Sequence, residues 1–328
     1  MNPVIRFDNV TRTYGGKRAL DNVSLEVPRG CVFALLGENG AGKTTAIKSM
    51  LGLDLGASGN VEVLGMNPRS QGIEVRRRVG FVPDVPSLYD WMTVKEAGWF
   101  TAGFYPLGFE NNFNRLCSQY ELDTKAKIKS LSKGGRAKVG LALAMAHQPE
   151  LIIMDEPTSG LDTLVRRKFL ESMVDVAAEQ RTIFLSSHQI SEVERVADQV
   201  AIIHQGRVLV NDRLENLKQR IEWWVVSFAE NETKFPPFAG EVIFHEGRNR
   251  RQRLMIRDPG PDALWQLRDS PGIVDVEVHT PSLEEIFVAF LKSGSSTGPN
   301  HGSAHLADHR LHTNNSQAPI RNSNGGGV

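Results

Sequence analysis

A chain of 328 residues has room for two domains and a sizeable core. Lysine plus arginine and aspartate plus glutamate each number 38, so the net charge is zero, which argues against broad electrostatic binding to nucleic acid. Two cysteines make no disulfide framework, no apolar run approaches the roughly 20 residues of a membrane span, and MNPVIRFDNV lacks the apolar core of a signal peptide, so a soluble cytoplasmic protein is expected.

Residues 4–10 and 21–27 read as two strands joined through a Gly15-Gly16 turn. Tyr14 lies in that connection and, from order alone, reads as a surface tyrosine beside a turn. The apolar run Cys31–Leu36 reads as a buried strand, with Cys31 as a small buried residue on it. Thr45–Leu51 reads as the start of a helix. Between them GENGAGKTT fits G-x-x-x-x-G-K-[ST], with Gly37, Gly42, Lys43 and Thr44 in the fixed places. A glycine turn lets backbone N–H groups point inward at phosphate oxygens, and the new helix aims its positive end at the same anion. On that logic Gly37, Glu38, Asn39, Gly40, Ala41, Gly42 and Thr45 belong to the cradle. Lys43 reaches the β- and γ-phosphates, and the Thr44 hydroxyl holds Mg²⁺.

A strand (Val61–Leu64), a short basic helix around Glu74–Arg78 and a strand (Val79–Val82) follow. The turn-rich PDVPSLYDW leads into helical stretches over Val94–Tyr105 and Phe109–Tyr120. A further helix starts at Ser132, a suitable N-cap, with Leu141, Ala144 and Met145 on one face. Leu151–Glu156 (LIIMDE) reads as a buried parallel strand with two carboxylates at its tip. Ligands of open α/β sheets bind at that end. Asp155 is therefore expected to reach the Mg²⁺ on Thr44, and Glu156 to poise a water against the γ-phosphate. A helix (Leu164–Ala177), a strand (Thr182–Ser186) and His188 come next, and His188 occupies the corresponding strand tip.

From about Ile221, EWWVVSFA, GEVIFHE, RQRLMIRD and GIVDVEVHT read as short strands, and PDALWQLRDS and SLEEIFVAFLKS as helices. Arg248, Arg250, Arg251 and Arg253 read as a solvated hairpin tip, with a contact to anionic lipid or a partner as the alternative. Residues 293–328, rich in Gly, Ser, Asn and His, are expected to be disordered. His301, His305, His309 and His312 recur there at helical spacing, which a metal would suit, but Gly302 and Pro299 weaken that helix.

Together these pieces resemble the ATP-binding cassette of ABC transporters over residues 4–220, with the motifs in family order. The resemblance implies an α/β fold: a P-loop NTPase cassette with a helical subdomain (1–220), a small α+β domain (221–292) and the disordered tail (293–328). It makes Tyr14 the aromatic that stacks on adenine and GENGAGKTT the phosphate loop, with ATP and Mg²⁺ as the bound species. Leu131–Gly135 (LSKGG) matches the signature, LIIMDE the acidic strand with Glu156 as general base, Ser159–Asp162 the D-loop, and His188 the switch histidine. In this family two cassettes dimerise head to tail, so Ser132 and Gly134 of one complete the γ-phosphate site of the other, whether an identical or a related chain. Two positions depart from the pattern. Asp84 stands where the family has a metal-touching glutamine, and Lys133 and Gly135 replace Gly and Gln in the signature.

The C-terminal unit resembles the extension of cassettes that pair with a separate export permease. The function implied is ATP hydrolysis that powers export by an integral-membrane permease subunit, with this chain peripheral on the inner face of the cell membrane and no nucleic acid bound. A cassette acting on ribosomes or DNA is disfavoured by the single cassette and the lack of a heptad insert, and a small-molecule kinase by LSKGG and His188.

Overall fold

The computed structural model describes residues 2–105, 107–178, 180–231 and 235–295. The chain begins with β1 (Ile5–Tyr14), β2 (Lys17–Val27) and β3 (Val32–Leu36), then α1 (Lys43–Met50), β4 (Ser58–Val63), α2 (Pro68–Arg78) and β5 (Val79–Val82). Three helices follow, α3 (Val94–Ala102), α4 (Phe109–Gln119) and α5 (Lys133–Met145). Then come β6 (Leu151–Asp155), α6 (Thr163–Ala178), β7 (Thr182–Ser187), α7 (Ile190–Val193), β8 (Gln199–His204), β9 (Arg207–Arg213) and α8 (Leu214–Arg220). The last elements are β10 (Ile221–Phe228), β11 (Glu241–Arg248), β12 (Arg251–Arg257), α9 (Ala263–Arg268), β13 (Ile273–His279) and α10 (Leu283–Ser295).

The central sheet has the order β5-β6-β7-β3-β8-β9, parallel except for β9. The middles of its inner strands are apolar and buried, which suits packing on both faces. Alternate residues then enter two different cores, as a period of two requires. Val32, Ala34 and Leu36 of β3 join Ile152 and Met154 of β6 beneath the helices α3 to α6. Phe33 and Leu35 join Ile153 and Phe184 on the opposite face, against α1 and the antiparallel sheet β2-β1-β4. Phe33 and Phe184 stack there with ring centroids 5.5 Å apart. This layering carries all the inner strand tips to one end of the sheet.

Several element bounds differ from the sequence reading. Strands β1 and β2 run past the expected 4–10 and 21–27. Register shifts after Phe7 and Val10, with Asn9 and Asn22 at positive φ, break the period of two without ending the pairing. Helix α2 starts six residues before Glu74, because Asn67 caps it through the Arg69 amide at 2.9 Å and Pro68 takes the first turn. Helix α3 ends at Ala102, short of Tyr105, with Gly103 at its C-terminus.

Strands β11-β12-β10-β13 form an antiparallel sheet. Trp224, Val226, Phe228, Leu254, Ile256 and Val276 pack with α9 in a core of their own. Ile221, Met255 and the buried face of α10 (Leu283, Ile286, Phe287, Phe290) instead join the core under the central sheet. The expectation of disorder after residue 293 and the histidine series lie almost wholly outside the described residues.

His147, just past α5, stacks under Tyr105 at 4.4 Å, and burial pushes its pKa down to about 4. The unfolded chain takes up that proton near its ordinary value of 6.5, so it binds more protons than the folded chain between the two values. The stability linked to this group is full above about pH 6.5 and declines as the pH falls towards 4, by up to about 3 kcal/mol. His147→Phe keeps the stack and removes the titration, so denaturant unfolding of the variant should lose less stability than wild type between about pH 6.5 and 5. Parallel stability curves for the two proteins would contradict this.

Candidate functional site

The loop between β3 and α1 is held by close backbone approaches. A Cβ on Gly37 would come within 2.5 Å of the Ile203 carbonyl oxygen, so no side chain fits there. Gly42 sits at φ 116° as the N-cap of α1, a conformation that favours glycine. The loop is tied down on both sides, since Gly37 N–H donates to the Ser187 carbonyl at 3.3 Å and Gly206 N–H to the Ala41 carbonyl at 2.9 Å. The first amides of α1 are thereby fixed at the cleft, where an anion would meet the helix's positive end.

Lys43 is only 6% exposed. Its Nζ donates to the carbonyls of Gly37 at 2.6 Å and Glu38 at 3.2 Å, and pairs with Glu156 Oε1 at 3.0 Å. Glu156 follows directly on β6 and has φ 48°, a left-handed conformation that costs a side chain about 1–3 kcal/mol. Two bonds hold it there: its N–H donates to the Ser186 carbonyl at 3.2 Å and to Ser186 Oγ at 3.0 Å. Its other carboxylate oxygen meets His188 Nδ1 at 2.8 Å. Lys43, Glu156 and His188 thus form one continuous series of contacts from the loop to the tip of β7.

Asp155, the last residue of β6, is buried and accepts a hydrogen bond from Ser186 Oγ at 2.6 Å. A cleft of about 560 Å³ opens over these groups. It is lined by the loop residues Glu38, Asn39, Gly40, Gly42, Lys43, Thr44 and Thr45, by Asp155 and Glu156 at the end of β6, and by Phe81, Pro83, Asp84 and Val85 at and after the end of β5. Gly37 and Ala41 are not among the lining residues. Ala41 is buried, while Gly37 serves through its carbonyl on Lys43. Thr44, Asp84 and Asp155 all line this cleft, and oxygen groups of this kind are the type that hard divalent cations take. Asp84 is exposed in the bend after β5.

Tyr14, Ser132, Gly134 and His188 are likewise not among the lining residues, although His188 meets Glu156, which is. Tyr14 ends β1, and its hydroxyl bonds Asp54. Ser132 caps α5 through the Gly135 amide at 3.1 Å and is exposed. Gly134 lies in the first turn of α5, where a Cβ would touch Val165 of α6. The sequence reading did not single out Ser186, although a serine pair closing the apolar TIFLSS was a visible signal. Nor did it connect Arg12 and Asp54 to Tyr14. Those residues are more than 40 positions apart in part, and only the fold joins them.

The family model for ABC transporters matches residues 20–159. A bacitracin transport ATP-binding protein of Bacillus licheniformis is 35% identical, over 67% of this chain and 73% of that protein. A Nod factor export ATP-binding protein of Cupriavidus metallidurans is 32% identical, over 88% of this chain and 97% of that protein. A solved structure described as the ATP-binding subunit of an ABC transporter is 31% identical with a TM-score of 0.61, covering 66% of this chain and 92% of that one. A dimeric ATP-binding cassette in a post-hydrolysis state with ADP and phosphate shares the fold at a TM-score of 0.58 and 23% identity.

Ser186 is fully buried, and its hydroxyl serves both Asp155 and the strained Glu156 amide. Ser186→Ala should lower unfolding stability by about 1–3 kcal/mol, because a buried carboxylate oxygen and an amide each lose a bond. Thermal and denaturant unfolding that match wild type would contradict this account of the strand tips.

Proposed function

The chain belongs to the ATP-binding proteins of ABC transporters, and from that premise we propose that it powers export of a substrate through a separate permease subunit. It binds ATP and is an ATPase of the cassette type. The observation that carries the mechanism is the convergence of Lys43, Glu156 and His188 beside the glycine loop.

In this reading the amides from Gly37 to Thr45 and the Lys43 ammonium hold the phosphates of ATP. Binding draws Lys43 from the Glu156 carboxylate towards phosphate oxygens, a charge-assisted exchange. Glu156, released on that side and still held by His188, takes the proton of a water that attacks the γ-phosphorus. The bond to the bridging oxygen breaks, and ADP and phosphate leave. Thr44, Asp155 and Asp84 would hold Mg²⁺, which neutralises phosphate charge when bound. A carboxylate at position 84 binds such a cation more tightly than the family's amide. Ser132 and Gly134 act on the γ-phosphate of a second cassette, either a copy of this chain or a relative. The exposed N-terminus of α5 supports that role, since it offers another positive helix end.

The division of labour follows the chain: residues 1–220 as the cassette, 221–292 as an accessory α+β unit. Two features support a membrane partner. Among the described residues no helix is long and apolar enough to cross a membrane. An aromatic cluster lies exposed near the helical stretch: Tyr89 contacts Trp91 and Phe100, each at 5.9 Å, and Phe100 contacts Phe104 at 5.6 Å. An exposed apolar patch of this kind marks a protein contact, and a permease on the inner face of the membrane would cover it. The name of the Nod factor export relative favours export as the direction.

Glu156→Gln keeps the size of the side chain and removes its basicity. Hydrolysis should fall by roughly 10²- to 10⁴-fold while ATP binding persists, and an ATP-bound dimer should accumulate. Steady-state phosphate release and sedimentation of the variant with ATP check both parts. Turnover near wild type would remove Glu156 from the chemistry.

A further inference from the structure

Arg12, Tyr14 and Asp54 form a bonded cluster that the phosphate chemistry does not use. Asp54 follows Leu53, which lines the cleft, and its side chain is almost wholly buried. One carboxylate oxygen accepts from Arg12 Nε at 2.7 Å and from the Tyr14 hydroxyl. The other accepts from the Gly56 amide at 3.1 Å. The Arg12 guanidinium also donates to the Gly56 carbonyl at 3.2 Å, and its central carbon lies 4.1 Å from the centre of the Tyr14 ring. Tyr14 nonetheless remains 44% exposed. The ring therefore has one face covered by a cation, its hydroxyl tied, and surface left for a ligand.

The position is apt. Tyr14 pairs with Lys17 across the glycine turn, two residues from Ala19, which lines the cleft along with Leu53. Tyr14 is not itself among the residues that line the phosphate cleft, but its bonded partner Asp54 directly follows Leu53, which is. We propose that Arg12 and Asp54 are positioning residues that hold Tyr14 as a fixed platform for the adenine ring of ATP, a proposal that rests on reading this cleft as the ATP site. An aromatic ring at a hairpin end would otherwise lose rotamer freedom on stacking, and here that freedom is lost before the nucleotide arrives. A guanidinium on one face also draws electron density from the ring, which favours an electron-rich purine on the other. Burial alone would push the Asp54 pKa up, but the bonds from Tyr14, Arg12 and Gly56 outweigh it and hold the group below the usual carboxylate range. The anion that anchors the cluster is thus present at neutral pH.

The test separates base from phosphate. ATP and inorganic tripolyphosphate are titrated by calorimetry into the full chain as wild type, Tyr14→Ala, Asp54→Asn, Arg12→Gln and the double variant Tyr14→Ala/Asp54→Asn. Loss of a stacking partner should raise the ATP Kd of Tyr14→Ala about 5- to 100-fold. Asp54→Asn and Arg12→Gln should each raise it about 3- to 10-fold, and Asp54→Asn should add nothing once Tyr14 is gone. Tripolyphosphate affinity should stay at the wild-type value throughout. Wild-type ATP affinity in Asp54→Asn and Arg12→Gln, with a defect in Tyr14→Ala, would overturn the positioning role alone. Equal losses for both ligands would make the cluster a structural tie between β1 and the loop after α1, and would also overturn it. An unchanged Tyr14→Ala would overturn the platform itself, whereas wild type that fails to bind tripolyphosphate would overturn the underlying reading of the phosphate cleft.

Discussion

The phosphate cleft depends on how closely the glycine loop is pressed against the strands behind it. At Gly37 the backbone lies so near the Ile203 carbonyl that even a methyl group has no room. That contact exists because β3 is hydrogen-bonded between β7 and β8, and both faces of the three strands are packed in apolar cores. Dense packing fixes the strand tips, and the tips fix the loop. A loop on a looser scaffold would not keep its carbonyls on Lys43 at 2.6 and 3.2 Å. The geometry of the site is therefore a property of the whole central sheet rather than of nine loop residues.

The electrostatics follow from that placement. A buried ammonium needs partners, and Lys43 finds two carbonyls and a carboxylate. The carboxylate belongs to a residue in a strained backbone conformation, and the strain is sustained by Ser186 from the neighbouring strand. The same serine orients Asp155. One hydroxyl thus bonds the first acid through its carboxylate and the second through its backbone amide. Strain held by surrounding bonds at such a point is a common mark of a working site.

Much of this was legible in the residues. The apolar runs at 31–36 and 151–155 declared a buried parallel sheet, and the loop motif with its flanking strand and helix placed the phosphate end. The two acids after LIIM and His188 after TIFLSS were legible because strand tips in such sheets point one way. Other features were hidden for physical reasons. The bulged pairing of β1 and β2 breaks the alternation on which strand reading relies, so their full length was missed. The start of α2 depended on a cap and a proline rather than on periodicity. Arg12 and Asp54 are ordinary charged residues in sequence, and only the chain's return after α1 makes them neighbours of Tyr14. The core shared between α10 and the central sheet likewise has no local signal, since it comes from contacts between distant segments.

The central claim is that Lys43 is the cation that holds the phosphates of ATP, taken from Glu156 when the nucleotide arrives. Calorimetric titration of ATP into Lys43→Ala tests it most directly. A lost charge-assisted contact to a phosphate should raise the Kd by roughly tenfold or more, with the folded structure retained by circular dichroism. An ATP affinity equal to wild type in a folded Lys43→Ala protein would contradict it, because the loop would then hold the nucleotide without its buried lysine.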